Sequence, residues 1–250
     1  MKIAAIIPAR LAATRFPNKP LAMISGLPMI EHVRRRVALC PLIDQVIVAT
    51  CDETIKKVVE DFGGKVIMTS DRHERCTDRI AEAALNIDSD IIVNVQGDEP
   101  LIRPGMLNEV ISPLTKEAAL LCTNLMCPIA NDDEFKSPNS VKVVVDRLNN
   151  MLYASREPIP SRLKAPNNDF LKWKQLGIIA FKSGFLQDFT RLTPTPLEQI
   201  ESVDMLRAIE NGYQIRMVAT QHRLVGVDIP EQVNEVESLL HHDPLVSRYI

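Results

Sequence analysis

Three cations, Arg10, Arg15 and Lys19, fall within ten residues, directly behind the apolar run IAAIIPA. A phosphate-rich ligand needs such charge, together with main-chain N–H groups at a loop or helix start. A second cluster follows the apolar run DIIVNVQ, where Gly97, Asp98, Glu99 and Pro100 stand in succession. A carboxylate there can hold Mg2+ against a substrate phosphate, because Mg2+ usually takes only one or two protein carboxylates. A third is VGVDIPE, with Asp228 shortly before Pro230. Asp228 reads as the cap of a helix opening near Pro230 or, because Asp98 lies at a comparable strand end, as a second metal carboxylate. The segment TSDRHERCTDR is a fourth polar cluster. Cations and paired carboxylates suit phosphoryl-type transfer, which asks mainly for alignment and charge neutralisation.

These groups need a scaffold that brings distant segments to one mouth. Short apolar runs alternate with amphipathic ones: KIAAIIPA, QVIVAT, KVIMTS and DIIVNVQ as strands, with helices over MIEHVRRRVALC, DETIKKVVEDFGG and TDRIAEAALNI and another starting near Pro104. The strands are uniformly apolar, as strands covered on both faces should be. The fold class is therefore α/β, a doubly wound, mainly parallel sheet, which binds ligands beyond the carboxyl ends of its strands. All four polar clusters fall at such ends. The second half is less regular, and part of it, roughly residues 120–190, is expected to form a small antiparallel lobe within one domain spanning 1–250. A single helix over LEQIESVDMLRAIENG, with Leu197, Ile200, Val203, Leu206 and Ile209 on its buried face, and a late strand at VGVD complete the expected elements.

The chain has 250 residues, net charge −3 and pI about 6.0. That balance argues against a general nucleic-acid binder, so the local positive charge needs a local target. The first loop is neither GxGxxG nor GxxxxGKS, which argues against a dinucleotide dehydrogenase or a P-loop NTPase. MKIAAIIPAR is too short an apolar stretch for a secretory signal, and no run is long enough to span a membrane. The five cysteines include no CxxC pair and read as thiols in a reducing cytoplasm. The histidines offer no zinc spacing.

IPARLAATRFPNKPL, VIVAT, MTS with TDRIAE, IIVNVQGDEPLI, PNSVKVVVD, REPIP, LEQIE and VGVDIPE occur in order and nearly end to end. Together they resemble the 3-deoxy-manno-octulosonate cytidylyltransferases, or CMP-Kdo synthetases, of the sugar nucleotidylyltransferase superfamily. The resemblance implies a Rossmann-like fold with a dimerisation lobe, a homodimer, and transfer of CMP from CTP to a keto sugar acid with Mg2+ and release of pyrophosphate. It implies that Arg10, Lys19 and Arg15 hold the triphosphate, that Asp98 and Asp228 hold metal, and that Lys19, Asp98 and Asp228 carry the chemistry. Ser70, Cys76, Thr77 and Asp78 then fall in the cytidine-binding region, and Gln96, Arg156, Gln175 and Glu201 on the sugar-acid side.

The match breaks at named places. Cys76 stands where the family usually has glycine, so the turn there either differs or narrows the base pocket. Asn18 also replaces a glycine, but asparagine tolerates the left-handed conformation. Cys51 replaces a common aspartate, leaving Asp52 as a helix cap. QLGIIAF stands in place of HLGIYAY: Gln175 replaces histidine, and Ile179 and Phe181 replace tyrosines. Lost hydroxyl partners change sugar preference. An amino-substituted or otherwise modified octulosonate, or a nonulosonate, is thus a competing substrate. A catalytically silent sugar-nucleotide-binding regulator is the competing class.

Overall fold

The computed structural model describes residues 1–12, 16–164 and 170–250. In chain order its elements are β1 (Ile3–Ala9), β2 (Met23–Ile24), β3 (Leu27–Pro28), α1 (Met29–Ala38), β4 (Gln45–Thr50), α2 (Glu53–Asp61), β5 (Lys65–Met68), α3 (Cys76–Ala84), β6 (Ile91–Val95), α4 (Pro104–Lys116), β7 (Cys122–Pro128), α5 (Asp132–Lys136), β8 (Lys142–Val145), β9 (Met151–Ser155), β10 (Trp173–Lys182), α6 (Ser183–Arg191), α7 (Pro196–Glu201), α8 (Met205–Glu210), β11 (Arg216–Ala219) and α9 (Glu231–Leu240). The chain divides into two compact units, Met1–Asn108 with Leu224–Ile250, and Glu109–Arg223.

In the first unit the strand order is β6-β1-β4-β5, all parallel. Every residue of β1 and β6 is buried, which is why both read as unbroken apolar runs. β5 lies at the end of this order, and its Lys65 and Met68 are exposed. The chain runs β1 to β4 to β5 in one direction, then returns to lay β6 on the other side of β1. The order therefore reverses between β1 and β6, and the crevice beyond their carboxyl ends is where such a sheet receives a ligand. Those ends carry Arg10 and the Gln96–Gly97–Asp98 turn. Between β1 and α1 the chain makes a one-turn 3-10 helix at Lys19–Leu21 and the small hairpin β2–β3. The hairpin turns through Ser25 at φ 46° and Gly26 at φ 87°, the pair of positive φ values that a tight two-residue turn demands. The sequence reading passed over this hairpin, although a Ser–Gly pair between short apolar pairs signals one.

The second unit is mixed. β7 pairs antiparallel with β10 and parallel with β11, and the β8–β9 hairpin joins β10 through an antiparallel β8. The antiparallel strands expected within residues 120–190 thus belong to this unit. Phe181, Phe185, Phe189 and Tyr213 form its aromatic cluster.

Two expected elements differ. The helix foreseen over residues 197–212 is two, α7 and α8, separated at Ser202, which adopts a left-handed φ of 53°. Ile200 is 77% exposed, while Glu198 is buried and receives both a 2.8 Å and a 2.6 Å bond from Arg207. Val203 and Leu206 of the expected apolar face are buried, and a buried ion pair between the two short helices joins them. VGVD forms no ladder strand; it is extended chain, with the Val227 amide donating to the Asp98 carbonyl at 3.0 Å.

Candidate active site

A cavity of about 310 Å3 opens at the carboxyl ends of β1 and β6. Arg10, Lys19, Cys76, Gln96, Asp98 and Asp228 all line it, with Pro8, Phe16 and Met29 among its apolar walls. Each polar residue arrives by its own local logic. The end of β1 delivers Arg10. The loop that follows is pinned back where the Leu11 amide donates to the Asp52 carboxylate at 2.9 Å. Asp52 makes no side-chain cap on α2, contrary to the expectation, because its carboxylate is engaged with this loop. Asn18 takes φ 58° and ψ 20°, the left-handed conformation that asparagine tolerates, and this folds the 3-10 turn that presents Lys19. Gly97 ends β6 against β1: a Cβ there would stand 3.0 Å from the Pro8 carbonyl and 3.3 Å from Ile30. Only glycine lets the Asp98 turn close that tightly.

At the centre, Lys19 Nζ lies 2.6 Å from an Asp98 oxygen and 3.5 Å from an Asp228 oxygen. Two acids 130 positions apart in the chain thus share one ammonium, and the Val227–Asp98 main-chain bond holds their segments side by side. Asp228 is also braced from its own helix, since Gln232 Oε1 accepts from the amides of Asp228 at 2.6 Å and Ile229 at 3.1 Å. Asp228 makes no side-chain cap on α9, and it lines the cavity instead. Arg15 lies outside the described residues.

The expected cytidine-binding residues cluster at α3. Cys76 is exposed, occupies the first helical position and lines the main cavity. It does not occupy the left-handed region, so the thiol is accommodated by an ordinary helix start. A smaller cavity of about 50 Å3 shares Pro8, Ala9, Arg10 and Cys76 with the main one and adds His73 and Arg79. Arg79 is 3% exposed; its Nη1 donates to Thr69 Oγ1 at 2.6 Å and to the Ser70 carbonyl at 3.3 Å. Its Nη2 is buried with no hydrogen-bond partner. Arg79 closes the CTDR turn that the sequence resemblance assigned to the cytidine-binding region. The Ser70 amide and His73 both donate to Glu82. Burial works to raise the Glu82 pKa, but these donors outweigh it and leave the carboxyl below its ordinary value. Thr77 is buried in the first turn of α3 beside Asp78 and lines neither cavity.

The remaining candidates lie in the second unit. The Arg156 amide and side chain both engage Glu201: N to the carboxylate at 2.8 Å, Nε to the Glu201 carbonyl at 2.8 Å. Glu201 also accepts from Tyr153 at 3.0 Å and Ser155 at 2.7 Å. Burial again opposes ionisation, and these donors prevail, so Glu201 titrates below the usual carboxylate value. Lys142, fully buried, donates to the carbonyls of Ser137, Ser140 and Arg156. Desolvation lowers its pKa.

Gln175 makes a different partnership. Asn124 Nδ2 donates to the carbonyls of Leu176 at 2.8 Å and Ile178 at 2.9 Å, so its Oδ1 faces Gln175 and must accept from Gln175 Nε2, at 2.6 Å. That fixes both amide orientations and leaves Gln175 Oε1 buried with no partner. Phe181 and Ile179 are buried, Phe181 within the aromatic cluster. The substitution at 181 therefore acts on packing and not on a surface that meets sugar.

The sequence from residue 4 to 221 matches the family model described as cytidylyltransferase. The chain is 48% identical over 246 residues to the 3-deoxy-manno-octulosonate cytidylyltransferase of Geobacter metallireducens, covering 94% of this chain and 96% of that one. It is 46% identical to the protein of the same name from Geotalea daltonii, with 94% and 97% covered. Among solved structures, a CMP:2-keto-3-deoxy-manno-octonic acid synthetase complexed with CTP superimposes with a TM-score of 0.91 at 37% identity, covering 97% of this chain and 99% of that one. A 4-diphosphocytidyl-2C-methyl-D-erythritol synthase from Anaerococcus prevotii, at 16% identity and TM-score 0.65, shares the fold. The chain belongs to the cytidylyltransferase family and, within it, to the 3-deoxy-manno-octulosonate cytidylyltransferases.

Proposed function

We propose that this chain transfers CMP from CTP to the anomeric hydroxyl of 3-deoxy-manno-octulosonate and releases pyrophosphate. The observation that carries the reading is the convergence of Lys19, Asp98 and Asp228 on one cavity at the end of β1. Arg10 and Lys19 bind the triphosphate. Lys19 stabilises charge on the departing phosphates as the sugar hydroxyl attacks the α-phosphorus. Gln96, at the same cavity, binds and orients the sugar acid.

The donor set fits Mg2+. Two carboxylates reached by a single ammonium leave a net negative charge, and Mg2+ characteristically pairs one or two carboxylates with substrate phosphate oxygens. Among the described residues no three metal-ligating side chains come together, so Asp98 and Asp228 would hold the ion jointly with the nucleotide. When bound, Mg2+ would neutralise phosphate charge and align the reacting groups. No helix among the described residues is long and apolar enough to cross a membrane. A cytoplasmic homodimer is part of the same proposal.

A second reading is favoured by Gln175. Its unpartnered Oε1 offers an acceptor at a position where imidazole is expected in the family, which suits a substrate with an additional donor, such as an amino-substituted octulosonate. Pyrophosphate release from CTP and Mg2+ with a panel of sugar acids separates the readings. Turnover with Kdo supports the first, and turnover only with the amino sugar or a nonulosonate supports the second. Tight CTP binding without turnover on any acid makes the chain a regulator and overturns both.

A further inference from the structure

Arg36, on α1, is completely buried and is not among the residues that line the cavity. Its guanidinium reaches from α1 to two further segments. Nε donates to the Ile102 carbonyl at 2.7 Å and Nη2 to the Leu101 carbonyl at 3.3 Å. Nη2 also meets the Asp243 carboxylate at 2.7 Å, and Nη1 lies 3.4 Å from the Tyr249 hydroxyl. Leu101 and Ile102 directly follow the turn that carries Asp98. Asp243 and Tyr249 follow α9, whose first turn is hydrogen-bonded to the Asp228 amide. α1 itself follows the hairpin behind Lys19, and that hairpin is fastened to α9 where the Ser25 amide donates to Glu237 at 2.7 Å. One cation thus joins the three segments that bear Lys19, Asp98 and Asp228.

We propose that Arg36 is a positioning residue that sets the spacing of Asp98 and Asp228 and so the affinity of the site for a divalent cation. The proposal rests on the reading that these two acids hold the metal with the nucleotide. The physical case is one of geometry. Asp98 and Asp228 carry like charge and repel; the Val227–Asp98 main-chain bond fixes one point of contact between their segments. Arg36 ties the segment that follows Asp98 to the segment that follows α9, through carbonyls on one and a carboxylate on the other. Its planar fork can donate in several directions together, which an ammonium cannot match. Hydrophobic packing of Ile24, Met29, Val227, Val236 and Leu240 surrounds the arrangement but does not fix direction as hydrogen bonds do.

The test measures Mn2+ binding to the protein with CTP present, by electron paramagnetic resonance, with CTP affinity in EDTA and melting temperature recorded alongside. Arg36→Lys keeps a charge opposite Asp243 but loses the simultaneous bonds to Leu101 and Ile102. It is expected to weaken Mn2+ by about 10-fold or more, the scale of losing a support behind a metal ligand, with CTP affinity in EDTA unchanged. A second variant, Arg36→Met with Asp243→Leu, avoids leaving a lone buried charge and is expected to do the same. If either variant folds and binds Mn2+ as the parent does, whatever its melting temperature, the positioning role is overturned. Should the double variant fail to fold, Arg36→Lys decides alone. Asp98→Ala is the arm for the underlying reading: unchanged Mn2+ binding there removes the metal assignment itself.

Discussion

Lys19 is the residue on which the site turns. Its ammonium stands between two carboxylates and offsets their repulsion; under the proposed function it then meets phosphate. Lys19→Ala is expected to reduce turnover by about 100-fold or more, the scale of one electrostatic contact to a charge that develops in the transition state. Steady-state pyrophosphate release checks it, and near-parental turnover would contradict the role. At this scale the sequence was informative where chemistry demands a residue type. Arg10, Lys19, Gln96, Asp98 and Asp228 were all named from it, and all line one cavity. It was uninformative where a side chain acts on its own protein. Asp52 looked like a helix cap and instead tethers the basic loop. Gln175, read as a sugar contact, also spends its amide nitrogen on Asn124. Nothing in local spacing reveals a partner 51 residues away.

At the scale of elements, the end of β6 is the exposed point of failure. Gly97→Ala would bring a Cβ within 3.0 Å of the Pro8 carbonyl, and backbone cannot yield as a flexible side chain can. Either the turn or the Pro8 carbonyl must give by a few tenths of an ångström, and the turn carries Asp98. Misplacing a reacting group by about an ångström can cost on the order of 100-fold, so this smaller shift is expected to cost turnover by about several-fold while CTP binding in EDTA is largely kept. Full activity in Gly97→Ala would show that the turn does not set Asp98. The parallel strands were legible because burial on both faces leaves an uninterrupted apolar run. The division of α7 from α8 was not. An apolar spacing suited to one helix is also satisfied by two, and the Glu198–Arg207 pair that decides between them has no periodic signature. The hairpin β2–β3 is only two residues on each side, too short for alternation to register.

Across the whole first unit, acid is expected to loosen the packing between α1 and the last residues. The Ile24 carbonyl can only accept, so His32 carries its proton on Nε2, at 2.7 Å, and Nδ1 accepts from the Tyr249 hydroxyl at 3.0 Å. Burial first, then Arg36 and Arg35, hold the imidazole below its ordinary value of 6.5, against the opposing pull of the Ile24 carbonyl and Glu31. The unfolded chain then binds more protons below that value, and stability falls as pH drops through it toward the folded pKa. Melting temperature is expected to decline between about pH 7 and about pH 5, with a shallower decline in His32→Gln; equal slopes would rule the histidine out as the cause.

The bond from the Val227 amide to the Asp98 carbonyl belongs wholly to the main chain. Side-chain replacement leaves both of its atoms in place, so an alanine scan around the cavity would pass over it and still look complete. Proline at 227, or an ester in place of that amide, is the chemistry that reaches it.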